Sequence, residues 1–169
     1  MTPTTPVEEE SGEVTTQHLL FVLGAETFAV HIAQVREIIE YAGVTTVPMM
    51  PPVLKGVINL RGRVVPVVDL SVRFGREPTA AGKRASVVIA EVSADDSKHL
   101  VGVMVNAVSE VVELPPSTIE PPPGFGASIR DAFIAGIARH KDKFLVVLDV
   151  AKVLSVEELS SLDGQRTSH

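Results

Sequence analysis

Gly56-Val-Ile-Asn-Leu-Arg-Gly-Arg-Val-Val-Pro-Val-Val-Asp69 is answered 80 residues later by Gly136-Ile-Ala-Arg-His-Lys-Asp-Lys-Phe-Leu-Val-Val-Leu-Asp149. Each stretch reads glycine, apolar run, charged turn, second apolar run, aspartate. Short runs of β-branched and aliphatic residues joined by such a turn are the pattern of a hairpin, and glycine at Arg61-Gly62-Arg63 can supply the positive φ of a tight one. A second match, at an offset of 73, lays Val30-His-Ile-Ala-Gln-Val-Arg-Glu-Ile-Ile39 over Val103-Met-Val-Asn-Ala-Val-Ser-Glu-Val-Val112. It sets Val35 over Val108 and Glu37 over Glu110. Alternation alone makes any two strands look alike, but it does not make glycine and aspartate coincide. Two related β halves of about 65 to 75 residues are expected, each near the lower limit of independent stability. They should form a pair of small barrels that bury a shared face, with the seam between them as the natural binding groove.

Outward from these repeats, His18–Leu23 and Thr27–Val30 read as strands joined by a turn at Gly24-Ala25-Glu26. Ile32, Val35, Ile38 and Ile39 recur at helical spacing, which fits a turn or two of amphipathic helix or a bent strand. Val47-Pro-Met-Met-Pro-Pro-Val-Leu54 has too many prolines for a ladder and forms a structured connector. Asp69 can cap a short helical turn over Leu70–Phe74, followed by a surface loop from Gly75 to Arg84. Ala85–Val92, Leu100–Val105 and Val108–Leu114 give three further strands, or two and a bent segment. A second proline-rich connector runs from Leu114 to Gly126, ahead of a final hairpin over Phe133–Arg139 and Lys143–Asp149. Val150, Val153, Leu154, Leu159 and Leu162 then take a helical period, and Ser155 with Glu158 matches a capping box.

Composition agrees with extended structure: 45% of the 169 residues are apolar, mostly aliphatic, only 4% are aromatic and Trp is absent. A formal charge of -6 repels phosphate backbones, and no basic stripe interleaved with aromatics offsets it, so nucleic acid is not expected as a partner. With no cysteine, disulfides, thiolate metal sites and a cysteine nucleophile are excluded. The apolar runs fall short of the roughly 18 residues of a membrane span. A soluble protein without direct membrane insertion is expected. Residues 1–17, with Glu8, Glu9, Glu10 and Glu13 among Pro, Thr and Ser, read as a disordered acidic tail rather than a signal peptide. Residues 18–162 then form the domain and 163–169 a second disordered tail.

The search for chemistry returns little. No phosphate-binding glycine loop, nucleophile elbow or paired-histidine metal motif occurs. His31 and His99 read as structural or exposed residues, and Asp69 and Asp149 as helix caps. No catalytic residue, metal site or cofactor is expected. The charged residues set among apolar ones are the suggestive ones, namely Arg36, Glu37, Arg61 and Arg63. Glu37 and Arg61 could pair across the fold in a bidentate contact.

From Leu19 to Leu162 the chain resembles the CheW family of bacterial chemotaxis coupling proteins. The likeness is plainest in Phe28-Ala-Val-His-Ile-Ala-Gln-Val-Arg-Glu-Ile-Ile39 and Gly56-Val-Ile-Asn-Leu-Arg-Gly-Arg-Val-Val-Pro-Val-Val-Asp-Leu70. The resemblance implies a mainly β fold of two SH3-like five-stranded barrels with short helices and a C-terminal helix. It implies no catalysis and no cofactor, and an adaptor's job: joining the cytoplasmic tips of chemoreceptors to the regulatory domain of the histidine kinase CheA. The protein would then be cytoplasmic and recruited to receptor arrays. The family's partner-binding positions fall on Val35, Glu37, Gly56 and Arg61, and further on Val87 and Gly102. His31 departs from the family pattern, as do the Pro121–Pro123 run and the acidic tail. Two alternatives are a CheW-like module of another chemosensory pathway, serving motility or development, and a β-barrel ligand carrier or enzyme using His31 or Asp69. The second would need a closed polar pocket.

Overall fold

The computed structural model describes residues 15–94, 97–120 and 134–150. The first apolar run forms β1 (Thr16–Leu23), which turns at Gly24, with φ of 63°, into β2 (Glu26–His31). The segment whose period fitted both helix and strand is both in turn. Ile32–Gln34 is one 3-10 turn, capped by His31, and Val35–Glu40 is strand β3. β4 (Leu54–Leu60) and β5 (Arg63–Asp69) are the hairpin of the opening sequence, and the short helix α1 (Leu70–Arg73) follows under an Asp69 cap. Three strands come next, β6 (Ser86–Ala94), β7 (Ser97–Val105) and β8 (Ala107–Leu114). The short β9 (Ile119–Glu120) precedes the second hairpin, β10 (Ile134–His140) and β11 (Lys143–Leu148). β1 begins two residues inside the stretch expected as tail, because Thr16 and Gln17 already pair with Leu114 and Glu113. Pro121–Phe133 and the expected C-terminal helix beyond Val150 lie outside the described residues.

Two sheets result, ordered β8-β1-β2-β11-β10-β9 and β3-β6-β7-β5-β4. In the second, a bridge from Thr45 to Val57 adds a sixth contact at the β4 edge. The two orders are the same list under the repeat: β3 answers β8, β6 answers β1, β7 answers β2, and the hairpin β4-β5 answers β10-β11. Even the parallel pairs coincide, since Val67 opposite Gly102 corresponds to Val147 opposite Ala29. The expectation of two related barrels holds, but sequence halves and barrels are not the same units. β1 and β2 complete the barrel built by β8–β11, while β6 and β7 complete the barrel of β3–β5. Each half lends two strands to its sister, so the chain enters one barrel, builds the other and returns.

Each barrel has its own interior. Leu20, Ala29, Leu114, Ala138, Leu145 and Val147 fill the first, and Leu60, Val65, Val67, Val87, Ile89 and Met104 fill the second. The opposite faces of the same strands meet between the barrels. There Leu19, Phe21, Leu23, Phe28 and Val30 pack with Val68, Val88, Ala90, Val101, Val103 and Val105. Over the described residues the space between barrels is thus a packed core, which explains why neither half needs to be stable alone.

Both repeat glycines answer one steric demand. A Cβ on Gly56 would lie 2.6 Å from the Thr45 carbonyl oxygen, and one on Gly136 would lie 2.6 Å from Ile119 Cγ2 and 2.8 Å from the Glu120 oxygen. Both sit at a register shift in their hairpin, where the neighbouring strand crosses close by. Gly56→Ala should therefore cost about 1–3 kcal/mol, as overpacking does, while Gly82→Ala, with nothing within 4 Å, stays within about 0.5 kcal/mol. Urea midpoints of the two variants check this, and equal values would show that the Thr45 segment gives way freely.

Candidate functional site

The tight turn between β4 and β5 puts both Arg61, with φ of 50°, and Gly62, with φ of 87°, in the left-handed region. Asn59 accepts a hydrogen bond from the Gly62 amide at 2.7 Å and steadies that turn. The turn is at one edge of the five-stranded sheet, and β3 is at the other. Arg61 reaches across the seam to Glu37 in a two-pronged contact: Nη1 donates to Oε2 at 3.2 Å, and Nη2 donates to Oε1. The pairing expected from the sequence is therefore formed. It is also on the surface, with the Arg61 side chain 71% exposed and that of Glu37 30%.

Arg61 holds the Glu37 carboxyl below the usual glutamate range, chiefly by hydrogen bonding and secondarily by its charge. The same contact raises the Arg61 guanidinium. A depressed carboxylate contributes its stability fully above the unfolded glutamate value and loses it as pH falls through the lower folded value. Also on β3, Arg36 donates to Glu91 at 3.0 Å, and Ile38 is 42% exposed.

The other candidate positions separate by depth. Val35 is half-buried against the inter-barrel core. Val87 is 1% exposed inside the second barrel, and a Cβ on Gly102 would lie 2.7 Å from Val87 Cγ1. Val87, Gly102 and Gly56 thus set the spacing of the strands under the Glu37–Arg61 pair, whereas that pair alone presents charge to solvent.

The repeat exposes a second face that the sequence reading missed. In the first barrel the places of Glu37 and Arg61 are taken by Glu110 and Lys141, which line a cleft with Glu26, His140, Lys143 and Phe144. Phe144 is 68% exposed with the Arg139 guanidinium carbon 5.5 Å from its ring centre. It answers exposed Val64 on the other barrel, and exposed Val111 answers Ile38. The signal was present in the offsets of 73 and 80, which place these apolar residues in equivalent pairs on strands whose inward faces were already accounted for.

Among the described residues no cluster of His, Asp or Glu could hold a metal, and no helix is long and apolar enough to cross a membrane. Asp69 is buried in a network with Ser71 and Thr79, and Asp149 accepts from Gln34 Nε2 at 3.0 Å. Asp69 therefore caps the helix that follows it and holds the connection beyond, whereas Asp149 holds the side chain of Gln34 from the other half.

Residues 17–158 match the model of the CheW-like domain. Chemotaxis protein CheW of Klebsiella aerogenes is 32% identical over 164 residues, covering 96% of each chain. Its namesake in Rhizobium meliloti is 31% identical over 83% of this chain and 88% of that one. The crystal structure of the scaffolding protein TtCheW from Thermoanaerobacter tengcongensis superposes with a TM-score of 0.76 at 32% identity, over 86% of this chain and 91% of that one. Two interleaved barrels carrying a clasped surface pair, on a chain matched by that family over nearly its whole length, make this protein a member of the CheW-like family of chemotaxis scaffold proteins, which are not enzymes.

Proposed function

We propose that this chain couples the cytoplasmic tips of chemoreceptors to the regulatory domain of the histidine kinase CheA, acting in the cytoplasm and recruited to receptor arrays through those contacts. The observation that carries the reading is the Glu37–Arg61 clasp, a geometrically defined, solvent-facing charged pair at the seam of a barrel. Such a pair fixes the register of a partner more than it adds affinity. The equivalent face at Glu110, Lys141 and Phe144 gives the adaptor a second surface on its other barrel. A scaffold needs two surfaces, and simultaneous engagement lets weak single contacts hold an assembly. Val35 borders the first face, while Gly56, Val87 and Gly102 act through the strand spacing beneath it.

A pull-down with a receptor cytoplasmic fragment and the kinase regulatory domain tests this. Arg61→Glu and Glu37→Arg should each reduce capture of at least one partner by about tenfold or more, as loss of a defined charged contact does, with the far-ultraviolet spectrum unchanged. The double exchange should restore part of it. Loss of kinase capture alone assigns the face to the kinase, and loss of receptor capture alone assigns it to the receptor. Undiminished capture of both partners by both single variants would remove this face from the interface.

A further inference from the structure

His18 and His31 stand directly opposite each other on β1 and β2, with ring centres 5.2 Å apart in an edge-to-face arrangement. His18 is 2% exposed, at the end of the first barrel's interior. The repeat shows what that place holds elsewhere: in the second barrel the cross-strand pair at the equivalent register is Val87 and Met104, both buried. The architecture accepts an apolar pair there, so two titratable rings are a feature of this barrel and not a demand of the fold.

The pair has a structural output. His31 Nδ1 accepts the Ala33 amide hydrogen at 3.0 Å and so caps the 3-10 turn Ile32–Gln34. An imidazolium has no free lone pair, so a proton on that nitrogen ends the cap. Gln34, at the end of the turn, donates to Asp149 at 3.0 Å, and its oxygen accepts the Val150 amide at 3.3 Å. One step further the chain becomes β3, with Val35 and Glu37. His18 Nδ1 lies 3.4 Å from the Thr16 carbonyl oxygen. Of the charged groups near this end, Glu113 of β8 lies opposite Gln17 on the outer face and takes a hydrogen bond from Thr15 at 3.3 Å, and Asp149 after β11 holds Gln34. Val112, opposite His18 on β8, is apolar.

We propose that the His18–His31 pair is a proton-operated latch, in which protonation withdraws the cap of the Ile32–Gln34 turn and loosens the crossover from the first barrel into β3. Burial is the largest influence on His18 and holds it below the usual histidine range, with the nearby His31 acting in the same direction and the Thr16 carbonyl against them. A depressed histidine binds its proton more readily unfolded, so this barrel loses stability as pH falls below the ordinary histidine value. The consequence for partner binding rests on the adaptor reading above, but the latch itself does not.

Amide hydrogen exchange on the intact protein, corrected for intrinsic rates, decides it. Between about pH 7.5 and 5.5 the protection of Ala33 and Val150 should fall about fivefold, the equilibrium equivalent of one helix cap. His31→Asn keeps a side-chain acceptor at every pH and should abolish that dependence. Protection that stays flat in the wild type, or that falls equally in His31→Asn, overturns the latch. Partner capture from the same samples separates the readings: failure at every pH counts against the adaptor function, while the exchange result stands by itself.

Discussion

Phe28→Ala should lower the unfolding free energy by about 3–5 kcal/mol, the usual cost of removing a buried phenyl ring. Phe28 is 1% exposed, stacks on Phe21 at 6.0 Å and meets Phe74 at 6.0 Å. Its strand is central in its sheet, hydrogen-bonded to β1 on one side and to β11 on the other. Relaxation around the cavity is therefore restricted by paired backbone on both sides. Aromatics make up only 4% of the sequence, so few large side chains are at hand to fill the space. Because Phe28 belongs to the core that both barrels share, the loss should appear as one transition moved to lower urea, with the slope unchanged. A second transition would show that the barrels unfold separately. A cost below about 1.5 kcal/mol would show that the core collapses into the cavity more readily than core packing normally allows.

That shared core marks the limit of what the sequence disclosed. The hairpin repeats were legible because Gly56 and Gly136 answer the same steric demand in each copy, and because Asp69 is fixed by the helix it caps. The pairing of Glu37 with Arg61 was legible because charges amid apolar runs need partners. The exchange of strands between halves was not, since it depends on which edges meet after the parallel pairs β2-β11 and β5-β7 form. Hydrophobic period records which face of a strand is buried, not which neighbour buries it. The segment after His31 was ambiguous for a related reason. A single 3-10 turn shifts the phase between two extended stretches, and the summed pattern imitates a helix. His31 itself read as a structural residue, because a cap directed at the amide two residues on leaves no periodic trace.

Asp69→Ala should be the most damaging polar substitution, at about 2–4 kcal/mol, because it leaves buried amide donors without an acceptor. The Asp69 carboxylate accepts the Ser71 amide at 3.0 Å, the Thr79 amide at 2.8 Å and the Thr79 hydroxyl at 2.7 Å, all buried. The Ser71 hydroxyl oxygen lies 3.0 Å from that of Thr79. One side chain thereby ends β5, caps α1 and fastens the connection to β6 ten residues downstream. The same connection sends Arg76 across to Glu26 of the other barrel, at 2.5 Å. An asparagine keeps one acceptor oxygen but turns its amide toward a donor, so Asp69→Asn should cost nearly as much as alanine. Thr79→Val removes the hydroxyl and keeps the amide contact, and should cost about 1 kcal/mol, the net worth of one hydrogen bond. Urea midpoints rank the three, and exchange of the Thr79 amide reports the loop. A Thr79 amide as protected in Asp69→Ala as in wild type would show that the connection holds without the carboxylate. Among the described residues the Glu37–Arg61 turn shares no hydrogen bond with this network, so partner capture by the folded fraction of Asp69→Ala should match wild type. Stability and binding can in that way be moved independently on one barrel.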